Sequence, residues 1–163
     1  MEWKVIGKFV ILMLNLPSYD FQTNRSRYDY EFLSLGPRGV IRKVARFDSL
    51  GTNIYNFGFG DLDEETGEIS DLITSNNGDR DVVLATVANI IYDFTNHFPE
   101  AAILIKGSDA ARTRLYQLGI NKYWEQIEPV FDIQAYRDGK WYPFEKGKNY
   151  EAFLGRRKGG FLF

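Results

Sequence analysis

The segment from Ala101 to Ile120, AAILIKGSDAARTRLYQLGI, constrains the fold more than any other part of the chain. It opens with five consecutive apolar residues, whereas a strand with one solvated face would alternate apolar and polar residues. Gly107 and Ser108 then form a turn, and Ser108 is predicted as the N-cap of a helix. The segment therefore predicts a central, buried strand that leads through a sharp turn into a helix.

The helix after this turn has a predicted apolar face and a predicted end. Ala111, Leu115 and Leu118 fall at i, i+4 and i+7, and Gly119 is typical of a helix C-terminus. Asp109 adds a carboxylate to the first turn, where the helix dipole favours negative charge. A strand that feeds a helix N-terminus is also a common place for anions to bind. The turn is therefore the first candidate site.

Composition excludes several kinds of chemistry. The chain has 163 residues, 44% of them hydrophobic, so it can bury a real core. It has no cysteine, which excludes disulfides and thiolate chemistry and fits a cytoplasmic protein. His97 is its single histidine, which excludes multi-histidine metal sites and argues against a Ser-His-Asp triad. We expect no metal site and assign no cofactor.

The net charge of −2 is unevenly distributed. Residues 59–81 hold eight acidic residues and one basic residue, whereas the rest of the chain holds 14 acidic and 19 basic residues. Clustered carboxylates can hold calcium or magnesium, but their turn-like spacing favours a solvated hairpin tip. The carboxylates in question are Asp61, Asp63, Glu64 and Glu65.

The two ends of the chain are expected to differ from its body. Residues 1–14 are predicted to form an extension or a first strand, with Met13 as an internal start, and the apolar run in them is too short to span a membrane. Residues 15–158 are predicted to form a single α+β domain, and residues 159–163 a flexible tail.

The order of the remaining elements indicates the fold class. Alternating patterns and turn residues predict an antiparallel meander, then a short strand, a long helix, the central strand, a second helix and a closing hairpin. We therefore expect an α+β fold: a mostly antiparallel mixed sheet of five to seven strands, backed by two main helices. The predicted elements are strands over Tyr28–Leu35, Val40–Phe47, Ile54–Phe59 and Ile69–Thr74, a helix over Asp81–Phe98 with Val83, Val87, Ile90 and Phe94 on its apolar face, a hairpin over Phe131–Arg137 and Lys140–Phe144, and a last element within Asn149–Lys158.

Several motifs in this order resemble an uncharacterised family of small bacterial proteins. They are YDYEFLSLGPRGVIRKV, IYNFGFGD, ISDLITSNNGDRDVVLATVA, KGSDAARTRLYQLGINKYW and YEAFLGRRK. The resemblance covers roughly Tyr19 to Lys158 and implies a fold unit, with no established activity.

The second half of the chain is also similar to the GNAT acetyltransferase superfamily. Leu115, Tyr116 and Gly119 correspond to the Leu-Tyr and Gly of a GNAT helix, although Gly119 comes one residue early. The resemblance implies acyl-CoA as the cosubstrate and Tyr116 as the general acid. The glycine-rich loop that binds pyrophosphate in that superfamily is reduced here to SNNGD, with Gly78 as its one glycine.

The residues around the Gly107 turn could bind phosphate. Arg112 and Tyr116 are i and i+4 and share a helix face, whereas Arg114 points elsewhere. Helix amides and a guanidinium fork together suit a phosphate group. The alternative is that the arginines solvate the helix or that one pairs with Asp109 or Glu125. The predicted ligand-binding residues are Lys106, Gly107, Ser108, Arg112 and Tyr116, with Asn77 and Gly78 at the turn before the long helix.

Six aromatic residues on the meander allow two interpretations. Beside Arg42, Lys43 and Arg46, they could form an exposed platform on which the bases of single-stranded nucleic acid stack. Alternatively, they form the core beneath the helices. The six are Tyr28, Tyr30, Phe32, Tyr55, Phe57 and Phe59.

Three functions remain open at this point. The leading expectation is a module that binds a phosphate-bearing ligand, either nucleic acid or a nucleotide. The alternative is a GNAT-like acyl-CoA-dependent transferase that uses Tyr116. The third is a protein-interaction partner, such as one component of a toxin–antitoxin pair.

Overall fold

The computed structural model describes residues 3–6, 15–70 and 77–159, and of residues 3–6 it describes the backbone alone. These residues form ten strands and three helices. The predictions for Met13, for residues 71–74 of the short strand and for most of the tail lie outside the described residues. The elements are β1 (Trp3–Ile6), β2 (Phe21–Asn24), β3 (Asp29–Gly36), β4 (Gly39–Gly51), β5 (Ile54–Leu62), β6 (Ile69–Ser70), α1 (Arg80–His97), β7 (Ala102–Ile105), α2 (Ala110–Lys122), α3 (Trp124–Ile127), β8 (Phe131–Arg137), β9 (Lys140–Pro143) and β10 (Ala152–Arg157).

The predicted class, α+β with a mixed and mostly antiparallel sheet, is confirmed. The described residues contain more strands than the five to seven expected, because β1, β2 and β6 have at most four residues each. Such short strands carry too little alternation to be read from a sequence pattern. The chain divides into two compact units: unit 1 comprises residues 1–48 and 58–94, and unit 2 comprises residues 49–57 and 95–163.

Unit 1 contains an antiparallel sheet in which neighbours in sequence are neighbours in space. β1 pairs with β2, β2 with β3, and β3 with β4, and β6 pairs with the end of β5. Of the predicted meander, the antiparallel β3–β4 pair is thus present, and β2 extends it on the side of β3. Of the predicted extension over residues 1–14, residues 3–6 form β1, with Val5 opposite Gln22.

The core of unit 1 is aromatic and lies between the meander and α1. The rings of Phe47 and Phe94 stack at 3.8 Å between centroids, and Tyr30 meets Phe47 edge-on. Val87, Ile90 and Phe94 of the predicted apolar face are buried, and Val83 is half-buried. The helix therefore forms as the 3.6-residue pattern predicts.

Unit 2 is built around β7, as the apolar run predicted. β7 pairs in parallel with the first part of β5 and antiparallel with β10, and β10 pairs in turn with β8. The chain's last strand thus lies between β7 and β8, and β9 closes the edge as the partner of β8. Asp138 and Gly139 both have positive φ angles, 51° and 79°, as a two-residue type I′ turn requires.

The prediction that Ala111, Leu115 and Leu118 form the buried face of α2 is wrong. Leu118 is 38% exposed, whereas Thr113, Gln117 and Ile120 are buried. The buried face is turned by two residues from the predicted one, because the two polar side chains find hydrogen-bond partners inside unit 2. Gly119 also lies within the helix, which ends at Lys122.

In the part of the chain that the structure describes, every helix is either too short or too polar to cross a membrane.

Candidate functional site

The parallel pair β5–β7 sets the geometry of the candidate site. Its register runs from Ile54 opposite Ala102 to Phe57 opposite Ile105, where the pairing ends. Ligands in sheets with parallel strands bind outside the carboxyl ends of those strands. The residues that follow β7 at this end are Lys106, Gly107 and Ser108, three of the predicted ligand-binding residues.

The N-cap of α2 is Asp109, which corrects the prediction of Ser108. Asp109 has extended backbone angles, and its Oδ1 accepts a hydrogen bond from the backbone N–H of Arg112 at 2.8 Å. Both residue types make good caps, and the chain begins to coil one residue later than expected. Ser108 is exposed and lies before the cap. The cap also places a carboxylate at the helix N-terminus, beside the position proposed for an anion.

Gly107 is glycine because the first turn of α2 packs against it. A Cβ at Gly107 would lie 2.4 Å from the backbone N of Thr113 and 2.5 Å from the Cβ of Arg112. Its N–H donates to Thr113 Oγ1 at 3.0 Å, and that hydroxyl donates to the carbonyl of Asp109. The close approach at Gly107 is therefore made by the protein's own helix. The amides at the start of α2 that lack an intrahelical acceptor are those of Ala110 and Ala111.

Tyr116 lies two turns into α2 and contacts the last residue of the parallel pairing. Its ring meets Phe57 edge-on, at 6.3 Å between ring centroids. Tyr116 and Arg112 are half-buried, whereas Lys106 and Arg114 are exposed. Unit 2 thus brings five predicted residues to the carboxyl end of β5–β7: Lys106, Gly107, Ser108, Arg112 and Tyr116.

Asn77 and Gly78, the other two predicted residues, belong to unit 1. The Asn77 side chain accepts from the Arg38 N–H at 2.7 Å and donates to the Gly39 carbonyl at 3.0 Å and to the Ser34 hydroxyl at 3.2 Å. Asn77 is 2% exposed. Its side chain therefore stabilises the β3–β4 turn. Gly78 has φ +76°, a conformation that favours glycine.

The acidic residues that could have held calcium or magnesium either form ion pairs or belong to a turn. Asp61 is buried in an ion pair with Lys43, and Glu64 lies 3.6 Å from Arg42. Asp63 accepts hydrogen bonds from the backbone of its own turn. Among residues 15–70 and 77–159, no three His, Asp or Glu residues come together as metal ligands.

The interpretation of the six meander aromatics as an exposed platform for nucleic acid is wrong, because five of the six residues are buried. Tyr28 is 39% exposed, whereas none of the others exceeds 9%. The accompanying cations are engaged as well: Lys43 with Asp61, and Arg46 with Asp29 at 2.6 Å. The buried aromatics are core residues: Tyr30, Phe32, Tyr55, Phe57 and Phe59.

Thr113 and Gln117 are the residues at this site that the sequence analysis missed. Gln117 donates from its carboxamide to the carbonyl of Lys148 and accepts from the N–H of Tyr150 at 3.1 Å. Its partners are more than 30 residues away in sequence. Polar residues at i and i+4 on an otherwise amphipathic helix could have indicated a buried polar face.

Comparison with curated proteins and with solved structures finds no match. Comparison with family models finds one, a family of unknown function, DUF6934, whose model covers residues 15–158. The predicted membership of an uncharacterised family is thereby confirmed. The match covers most of the chain, and this protein therefore belongs to the DUF6934 family.

Proposed function

We propose that the carboxyl end of the β5–β7 pair binds a phosphate-bearing ligand of the acyl-CoA class, and that the chain is an acyl-CoA-dependent transferase. The observation that carries the proposal is the strand arrangement of unit 2. A parallel pair, β5–β7, is followed by α2, and the last strand, β10, lies between β7 and β8. The GNAT resemblance implies a helix, a strand, a helix with Leu-Tyr and a closing hairpin in this order, and α1, β7, α2 and the β8–β9 hairpin follow one another in that order.

Charge favours an anionic ligand at this unit. Unit 2 carries 11 Lys and Arg against eight Asp and Glu, whereas unit 1 carries nine against 14. Lys106 is exposed directly after β7, and Arg112 lies on the first turn of α2. One guanidinium group can donate two parallel hydrogen bonds to two oxygens of a phosphate. Arg112 is therefore the residue best suited to bind a phosphate group.

Asp109 limits where the phosphate can lie. Its carboxylate already caps α2, so a phosphate on the helix axis would meet like charge. The phosphate contacts therefore come from the Lys106 and Arg112 side chains rather than from the amides of the first turn.

Tyr116 is assigned the role of general acid. In acyl transfer, a nucleophile of the acceptor forms a bond to the thioester carbonyl carbon, and the carbon–sulfur bond breaks. The Tyr116 hydroxyl gives its proton to the departing thiolate, and the acceptor's proton is released to water. A positioned acid of this kind contributes about a hundredfold or more to the rate.

Nucleic acid is the less favoured ligand, because the aromatic residues that would stack on bases are in the core. A nucleotide shares the adenosine and pyrophosphate chemistry of coenzyme A, so the test must separate the two. Isothermal titration with acetyl-CoA, ADP and a single-stranded oligonucleotide does so. We expect acetyl-CoA to bind most tightly, ADP more weakly and the oligonucleotide without measurable heat.

Two variants separate binding from chemistry. Tyr116→Phe keeps the ring against Phe57, so it should bind acetyl-CoA as the wild type does and lose transfer to a panel of amine acceptors. Tyr142→Phe, which changes an exposed tyrosine on β9, is the matched control. Tight binding of the oligonucleotide without binding of acetyl-CoA would support the nucleic-acid alternative, and absence of binding by all three ligands would contradict the proposal.

A further inference from the structure

A short segment before β2, residues 15–20, lies along α1 in unit 1. We call it the strap. Leu16 in it is 43% exposed, and only Ser18 and Tyr19 are half-buried. The strap thus contributes little apolar area to the core, and the hydrophobic effect does little to hold it in place.

Hydrogen bonds hold the strap to the helix. The backbone N–H of Tyr19 donates to Thr86 Oγ1 at 2.8 Å, and the Asn89 side chain donates to the Ser18 hydroxyl at 3.3 Å. The Tyr19 hydroxyl donates to Asp79 Oδ2 at 2.6 Å. These bonds reach α1 and the residue just before it.

Tyr19 also joins the strap to β3. Its hydroxyl accepts from the backbone N–H of Leu35 at 3.1 Å, and its ring stacks on Phe32 with 5.8 Å between centroids. Burial and the Asp79 carboxylate raise the pKa of Tyr19, so the hydroxyl keeps its proton and remains a donor. Tyr19 is therefore the main anchor of the strap.

The strap covers polar rather than apolar residues of α1. Thr86 is 0% exposed and Asn89 is 1% exposed, although both side chains are polar. If the strap moved away, water could replace its hydrogen bonds to these groups. Because each of these hydrogen bonds would be exchanged for one to water, opening the strap is far less costly than opening the aromatic core.

We propose that the strap is a displaceable cover: it opens as a local unit and uncovers the polar face of α1 while the rest of unit 1 stays folded. Thr86 and Asn89 would then become accessible from the side on which the strap lies. The proposal concerns unit 1 alone and is independent of the acyl-CoA proposal. Local openings of this kind are drawn from segments that have few buried apolar contacts.

Native-state hydrogen exchange measured by NMR tests the proposal. The amide of residue 19 reports on the strap, because Thr86 Oγ1 is its acceptor, and the β3–β4 ladder amides report on the rest of unit 1. We expect the residue 19 amide to be protected, but to exchange faster than the ladder amides and with little dependence on low urea concentrations. Tyr19→Phe should raise its exchange rate about two- to tenfold, because the variant loses the hydroxyl and keeps the stacked ring.

The ladder amides in Tyr19→Phe should exchange at the wild-type rate, and Tyr142→Phe in unit 2 should change neither group. The proposal is overturned if the residue 19 amide has the same opening free energy and urea dependence as the ladder amides, since the strap would then open only on global unfolding. It is also overturned if that amide is unprotected in the wild type, or if Tyr19→Phe accelerates the residue 19 and ladder amides equally.

Discussion

The backbone N–H of Gly107 donates a hydrogen bond to the side-chain hydroxyl of Thr113, six residues later, at 3.0 Å. This bond fastens the end of β7 to the first turn of α2. The first turn of α2 also packs so closely against Gly107 that a Cβ at this position would overlap the helix.

Replacement of Gly107 by alanine is therefore expected to destabilise the protein. The new Cβ would lie 2.4 Å from the Thr113 backbone N, which cannot move without shifting the helix. We expect Gly107→Ala to lower the free energy of unfolding by about 1–3 kcal/mol, measured by urea denaturation. At Gly58 a Cβ would lie 3.9 Å from the carbonyl oxygen of Arg46, an ordinary van der Waals contact, so Gly58→Ala should have little effect. Equal stability of the two variants would contradict the packing described for Gly107.

The second prediction concerns the aromatic core of unit 1. Phe94 is 0% exposed and its ring stacks on Phe47. Phe94→Ala should lower the free energy of unfolding by about 3–5 kcal/mol, because it removes a large buried ring and leaves a cavity. Leu118→Ala, at a position that is 38% exposed, serves as the control and should change stability far less. If Phe94→Ala melts within about two degrees of the wild type, the neighbouring side chains fill the cavity and the prediction is wrong.

The third prediction concerns stability at high pH. Burial, together with the nearby Asp93 carboxylate, raises the pKa of Tyr30 above its ordinary value of 10.0. Above pH 10 the unfolded chain releases this proton and the folded protein keeps it, so the stability that is present below pH 10 is lost as the pH rises. The free energy of unfolding should fall by about 1.4 kcal/mol per pH unit from this residue.

Urea denaturation between pH 8 and pH 11 measures this slope. Tyr30→Phe removes the titrating hydroxyl and should flatten the slope, although the variant also loses the 2.6 Å hydrogen bond from Tyr30 to Asp93 and starts from lower stability. Tyr142→Phe, in which the substituted residue is exposed, should keep the wild-type slope. If the slope of Tyr30→Phe equals that of the wild type, other groups account for the pH dependence.

Much of the fold could be predicted from local patterns. The Asp138-Gly139 hairpin, the apolar run of β7 and the face of α1 each depend on residues close together in sequence. The face of α2 could not be predicted, because Thr113 and Gln117 are buried by hydrogen bonds that a hydrophobic pattern does not register. Gln117 depends on Lys148 and Tyr150, which only the folded chain brings near.

The candidate site was predicted in part. The sequence pattern located the turn after β7, but it placed the N-cap one residue early, at Ser108 instead of Asp109. The SNNGD turn before the long helix predicts Asn77 as a ligand-binding residue, whereas its buried side chain holds the β3–β4 turn. A polar residue in a turn has the same sequence signature whether it binds a ligand or the backbone.

The fourth prediction concerns Arg112, the proposed phosphate ligand. Arg112→Lys keeps the positive charge and removes the paired donors of the guanidinium. We expect it to weaken acetyl-CoA binding by about 1–3 kcal/mol in isothermal titration and to leave the melting temperature nearly unchanged. Arg114→Lys, at an exposed position on another face of α2, is the matched control and should bind as the wild type does. A lowered melting temperature with unaltered binding would make Arg112 a structural residue.

The proposed ligand site lies at the carboxyl end of the β5–β7 pair. The most direct measurement is a titration of the ¹⁵N-labelled protein with acetyl-CoA, followed by backbone amide chemical shifts. We expect saturable shifts centred on Lys106, Gly107, Ser108, Arg112 and Tyr116. Absence of shifts at millimolar acetyl-CoA, or saturable shifts confined to unit 1, would contradict it.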